Sequence, residues 1–141
     1  MMWSTAATAR TRARPEQVWT LWMDVAHWRH WDDDVEWSRL DGAFEPGVRG
    51  ALKPRNGPRT AFVLTHVEPS VAFTTRSTLP TVTLDVIHTM RVHGGDTMIE
   101  HRVEMRGPLT FLFRRLVGRS IARGLPATVA RLARAAEGGA P

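Results

Sequence analysis

The stretch that most limits how this chain can fold is its last thirty or so residues. From Leu109 to Ala136, Leu109, Leu112, Phe113, Leu116, Val117, Ile121, Val129 and Leu132 recur at three- and four-residue spacings, the period of one helical face. Arg114, Arg115, Arg119, Arg123, Arg131 and Arg134 lie off that stripe. Gly107-Pro108 opens the segment and Glu137-Gly138-Gly139 closes it. Pro126 removes one backbone hydrogen bond, so a kink is expected near Gly124. A helix this long with one apolar stripe needs an apolar partner, and the rest of the chain must supply it.

Upstream, the pattern is that of strands. Met2 to Ala13 alternates, with Arg10, Arg12 and Arg14 between small residues. Pro15 suits the first turn of a helix and Glu16 its positive end. Val18, Trp19, Trp22 and Ala26 then repeat with helical spacing, giving a helix over Pro15–Asp24 and a second short turn over Val25–Arg29. Six strands are expected after that: Val35–Leu40, Arg49–Lys53, Thr60–Val67, Val71–Leu79, Val82–Val92 and Thr97–Met105. Short breakers such as Glu68-Pro69, Pro80-Thr81 and Gly94-Gly95 separate the last four. Connections this short impose an antiparallel meander. The expected architecture is α+β: a strongly curved antiparallel sheet of six to seven strands wrapped around the last helix, with two short helices after the first strand. The length, 141 residues, suits one domain, 1–141.

Composition excludes several classes. Without cysteine there is no disulfide framework, thiolate metal site or cysteine nucleophile. No apolar run is long enough to span a bilayer. Met1 to Arg14 lacks the apolar stretch of a secretory signal, and a cytoplasmic location is expected. The formal net charge of +5 is spread along the chain and reads as a solubilising preference for Arg. The exception is Arg115, Arg119 and Arg123, at successive four-residue steps with no acid between them, a stripe suited to contact with a membrane surface. Nucleic acid is not expected as a partner, because the aromatic residues belong to the core and are not interleaved with the arginines. Asp32-Asp33-Asp34 lacks the alternating spacing of a calcium loop and reads as a solvated loop.

Four stretches carry a resemblance over essentially the whole chain. Pro15-Glu16-Gln17-Val18-Trp19 is followed by Asp24-Val25-Ala26-His27-Trp28 and Trp31. Phe44-Glu45-Pro46-Gly47 precedes a short strand, and Val67-Glu68-Pro69 forms a strand-turn element. Gly107-Pro108-Leu109 leads into a helix carrying Gly124-Leu125-Pro126. In these the chain resembles the START-like (SRPBCC) superfamily with the helix-grip fold, in particular its small bacterial polyketide cyclase/dehydrase-like group. The resemblance implies a cavity between sheet and helix for lipids, polyketides or other apolar molecules. It carries over no catalytic residue, because the group has no universal catalytic motif.

Strand parity gives an independent view of what faces inward. On the penultimate strand Val82, Leu84, Val86, His88, Met90 and Val92 share the inner face, and on the last strand Ile99, His101, Val103 and Met105 do. Val71, Phe73, Thr75, Ser77 and Leu79 are inward on the strand before these. On Thr60–Val67 the inward choice is Phe62, Leu64 and His66, leaving Val63 and Val67 outside. Two-residue closure at Gly94-Gly95 sets His88 opposite His101. The expected ligand-binding residues are thus Trp28, Trp31, Phe62, Leu64, Phe73, Thr75, Ser77, Val86, His88, His101 and Val103, with Phe113, Val117 and Ile121 from the helix. The expected function is binding of a small, largely apolar molecule. The alternative is a cyclase or dehydratase using His88 or His101 as general acid/base. No metal site and no cofactor are expected.

Overall fold

A computed structural model describes residues 2–138; Met1 and Gly139, which the leader and helix-closure readings also touched, lie outside them. The chain forms β1 (Met2–Thr11), α1 (Pro15–Met23), a 3-10 segment (Val25–His30), β2 (Val35–Leu40), β3 (Arg49–Pro54), β4 (Thr60–Glu68), β5 (Ala72–Leu79), β6 (Val82–His93) and β7 (Asp96–Arg106). A C-terminal helix follows in three parts: α2 (Thr110–Phe113), a π-helical segment (Arg114–Gly118) and α3 (Arg119–Ala136). The strands make one seven-stranded sheet in the order β1-β7-β6-β5-β4-β3-β2, and every pairing is antiparallel. Neighbouring strands pair because their connections are short, and β1 crosses to the far edge to pair with β7.

Local chemistry explains the element ends. The backbone N–H of Arg14 donates to Gln17 Oε1 at 2.8 Å, closing the first turn of α1 behind Pro15. Gly94 and Gly95 have φ of +59° and +86°, which a two-residue hairpin of this type requires. They fix His93 opposite Asp96, and the register then runs without a shift to Thr83 opposite Arg106. At the other end of β7, Gly107 has φ +134°, and a Cβ there would meet Thr81 O at 2.1 Å. Only glycine permits the turn from β7 into α2.

Parity holds along β7, where Ile99, His101, Val103 and Met105 are all buried. Elsewhere the structure corrects it. A bulge between Leu64 and His66 gives β4 one extra residue against β5. Beyond it the faces exchange: Val67, expected outside, pairs with Phe73 and packs on the core, while His66 is exposed beside Glu68. Val92 is 63% exposed, because the β6–β7 hairpin projects past the core. Asp85, on the outer face, is nonetheless buried under its cross-strand neighbour Arg76, which grips it with Nε and a terminal nitrogen at 2.8 and 3.0 Å.

The C-terminal helix departs from expectation in its first half. Val129 and Leu132 are fully buried, but in the first half Phe111, Leu112, Leu116 and Val117 face solvent. The π segment inserts an extra residue and shifts the stripe out of phase. It also brings Gly118 against the Trp3 indole, where a Cβ would stand 3.1 Å from the ring. The helix backbone runs closest to β1, and Val129, Leu132, Ala133 and Ala136 pack into the same core as Phe62, Leu64, Phe73, Met90 and Ile99 of the sheet. α3 continues through Pro126, from Arg119 to Ala136. Thr128 Oγ1 donates to Gly124 O at 3.2 Å across that turn.

In the Asp32–Asp34 loop Asp33 and Asp34 are exposed, as a solvated loop requires, and Asp32 is half-buried; the loop is also tied to α3. Asp32 Oδ1 accepts from the Asp34 N–H at 3.0 Å, Asp33 pairs with Arg131, and Asp34 lies against Gly124. The loop thus clamps the middle of α3. Desolvation raises the Asp32 carboxyl to about 6, helped by the nearby Asp34 charge and opposed by its hydrogen bonds and Arg131.

Candidate functional site

His88 and His101 sit on adjacent strands, directly paired. Both point inward, with ring centroids 4.6 Å apart in an edge-to-face arrangement. An aromatic cluster encloses them. Phe73 stacks on His88 at 3.8 Å with ring planes 5° apart. Trp22, reaching in from α1, lies about 6 Å from both imidazoles. Trp31 meets His101 at 5.9 Å. Trp28 stacks on Phe62 at 5.7 Å, and its indole N–H donates to Trp22 O at 2.9 Å. Every member of this cluster is buried. Trp28 and Trp31 are 7% and 4% exposed and belong to the core.

Burial controls the charge of the pair. Desolvation pushes the His88 imidazole down to about 3 and holds His101 well below the usual histidine range, with the neighbouring His88 acting in the same direction. Both rings are therefore neutral near pH 7. A carbonyl can only accept, so the 3.1 Å contact between His88 Nδ1 and Phe73 O places the His88 proton on Nδ1 and leaves Nε2 as an acceptor. Three buried polar atoms in the same cluster have no hydrogen-bond partner among the described residues: Trp22 Nε1, Trp31 Nε1 and His101 Nε2. Each such atom costs roughly 1–3 kcal/mol if it stays unpaired.

Beyond this cluster the inner face is less uniformly buried. Thr75 and Val103 are buried, but Ser77, Leu84 and Val86 are only half-buried, as are Phe113 and Ile121 on the helix. Val82 and Met105, on the same face next to the start of α2, are fully buried. The structure gathers the sheet residues Phe62, Leu64, Phe73, Thr75, Val86, His88, His101 and Val103 on one concave surface. Val117, by contrast, is 37% exposed. Sequence reasoning missed Trp22 as a site residue, although its four-residue spacing from Val18 already put it on the inner face of α1. Among the described residues no group of three or more His, Asp or Glu comes together to hold a metal ion.

A curled antiparallel sheet gripping a long C-terminal helix, with a short helix after the first strand, is the helix-grip fold of the START-like superfamily. The sequence profile described as "Polyketide cyclase / dehydrase and lipid transport" matches residues 2–137, and the chain belongs to that family. No curated protein matches its sequence significantly. Among solved structures it is similar to the Zhui aromatase/cyclase from Streptomyces sp. R1128, at 13% identity and a TM-score of 0.79 over 97% of this chain and 94% of that one. It is also similar to norcoclaurine synthase from Thalictrum flavum in complex with dopamine and hydroxybenzaldehyde, at 13% identity and a TM-score of 0.73 over 98% and 88%. The di-domain ARO/CYC StfQ from the steffimycin biosynthetic pathway matches at 10% identity and a TM-score of 0.78, and there this chain covers 51% of the partner chain. At these identities the likeness concerns the fold.

Proposed function

We propose that this protein binds a small, largely apolar molecule carrying an oxygen acceptor or hydroxyl, held between the sheet and the C-terminal helix. One observation carries the reading: the unpaired Trp22 Nε1, Trp31 Nε1 and His101 Nε2 atoms inside an otherwise apolar interior. Natural interiors leave few such groups unpaired, and a ligand oxygen can pair an indole N–H or an imidazole nitrogen. The apolar body would lie along Thr75, Ser77, Val86 and Val103 toward Phe113 and Ile121, which are half-buried. Mostly apolar linings with a few polar points are usual for such sites.

Proton-transfer chemistry is the second reading, because the similar aromatase/cyclase and synthase structures attach reactions to this fold. It ranks lower. An imidazole held at about 3, as His88 is, is a weak base at neutral pH.

Native mass spectrometry of protein purified from its own host, followed by titration of a long-chain fatty acid and a naphthol against tryptophan fluorescence, tests the proposal. A co-purifying small molecule or saturable binding is expected, with affinity at least about tenfold weaker in His101→Leu, the loss of one good hydrogen bond. Empty protein that binds neither probe, or unchanged affinity in the folded variant, would refute it.

A further inference from the structure

The first half of the C-terminal helix presents large apolar side chains and unpaired cations to solvent together. Leu116 is 69% exposed, Phe111 47% and Leu112 41%. Arg114, Arg115, Arg119 and Arg123 are all exposed around them. Among the described residues none of these four arginines has an ion-pair partner, although eight others of the chain's Arg and Lys side chains do. No acidic residue occurs anywhere from Gly107 to Ala136. Between this helix and the start of β1 lies an open groove of about 410 Å³, lined by Trp3, Arg114, Arg115, Gly118, Arg119 and Ala122.

We propose that this face docks on an anionic lipid surface. Phe111, Leu112 and Leu116 would enter the acyl boundary, and the arginines would meet lipid phosphates, with the three-arginine groove beside Trp3 receiving one headgroup. The composition is that of an interfacial helix: cations on long stems beside leucine and phenylalanine. Phe111, Leu112 and Leu116 and the interleaved Arg114, Arg115 and Arg119 are all exposed, so this stretch offers apolar and cationic groups to solvent together. Charge decides between occupants. A second copy meeting this face symmetrically would set arginine against arginine. Nucleic acid would satisfy the cations and leave the exposed leucines in water. An anionic bilayer takes both.

Co-sedimentation of the full chain with phosphatidylcholine vesicles, with and without phosphatidylglycerol, tests the proposal at low and high salt. Binding only to the phosphatidylglycerol vesicles, weakened by salt, is expected. Arg115→Gln/Arg119→Gln/Arg123→Gln should bind roughly 100-fold more weakly, from the usual contribution of each cation near an anionic surface. Phe111→Ser/Leu116→Ser should lose at least about tenfold. All five positions are exposed, so both variants should keep the wild-type fold and circular dichroism. Equal binding to the two vesicle types, no binding, or either variant binding like the wild type would overturn the proposal. So would dimerisation through this face, or salt-sensitive binding to an oligonucleotide, without vesicle binding. None of these readouts involves the interior site.

Discussion

At the scale of single residues, His101 is where stability and binding oppose each other. Its ring is 2% exposed and its Nε2 is unpaired among the described residues, so it weakens the ligand-free protein while offering a ligand its contact. His101→Leu, close in volume, should raise stability at pH 7 by about 1 kcal/mol in urea unfolding, since it removes an unsatisfied buried nitrogen. A loss of more than 1 kcal/mol would mean that the imidazole is paired in solution and that the Leu variant breaks that pair. Asp85 offers the contrast. It is as buried as His88 but is gripped by Arg76 through two hydrogen bonds. Arg76→Ala, which strands that carboxylate, should therefore destabilise by roughly 1.5–3 kcal/mol in the same assay.

At the scale of elements, the junctions matter more than the strands and helices they join. Gly107 turns β7 into the C-terminal helix with a φ closed to other residues, and its α-carbon faces the Thr81 carbonyl. Gly107→Ala should cost more than about 2 kcal/mol, from backbone strain together with the clash. Thermal unfolding measures this, and a Tm within a degree of wild type would show that the junction can relax. The other end of the helix is tied independently: Glu137 Oε2 accepts from the Arg12 N–H at 2.8 Å and lies 2.9 Å from Thr11 Oγ1. These bonds hold the Glu137 carboxyl below its ordinary range. The helix is thus tied at its start by the Gly107 turn against Thr81 and at its end to Thr11 and Arg12, and its exposed apolar side chains lie in the stretch containing the π segment.

At the scale of the whole molecule, three buried groups set the response to acid. Near pH 5 an unfolded chain has His88 and His101 protonated and Asp32 ionised, so these groups hold two protons. The folded chain has both imidazoles neutral and Asp32, raised to about 6, protonated, so it holds one. The histidine contributions are present above the ordinary histidine range and are lost as pH falls. The Asp32 contribution has the opposite sign: it is fully present below the ordinary aspartate range and is lost as pH rises through about 6. The net difference of one proton predicts that these groups reduce stability by about 1.4 kcal/mol per pH unit of acidification near pH 5. Asp32→Asn removes the compensating proton and should about double that slope. Urea unfolding from pH 4.5 to 5.5 reads both, and an unchanged slope in Asp32→Asn would show that Asp32 is ionised throughout.

The sequence by itself determined what depends on neighbours along the chain. Turn residues and apolar period placed seven strands and the helices nearly to the residue. The Gly94-Gly95 hairpin fixed the pairing of His88 with His101, because a two-residue turn leaves no freedom of register. Tertiary structure decided what depends on space. The bulge at β4 moved His66 out and Val67 in, and nothing in a run of alternating residues marks where one extra residue is accommodated. The π segment left Leu112, Leu116 and Val117 of the apolar stripe facing water, where Gly118 closely approaches Trp3, distant in the chain. The aromatic closure around the imidazoles, which depresses both and leaves three polar atoms unpaired among the described residues, comes from Trp22, Trp31 and Phe73 converging from three separate segments. Burial at that depth depends on the assembled volume, which no local pattern contains.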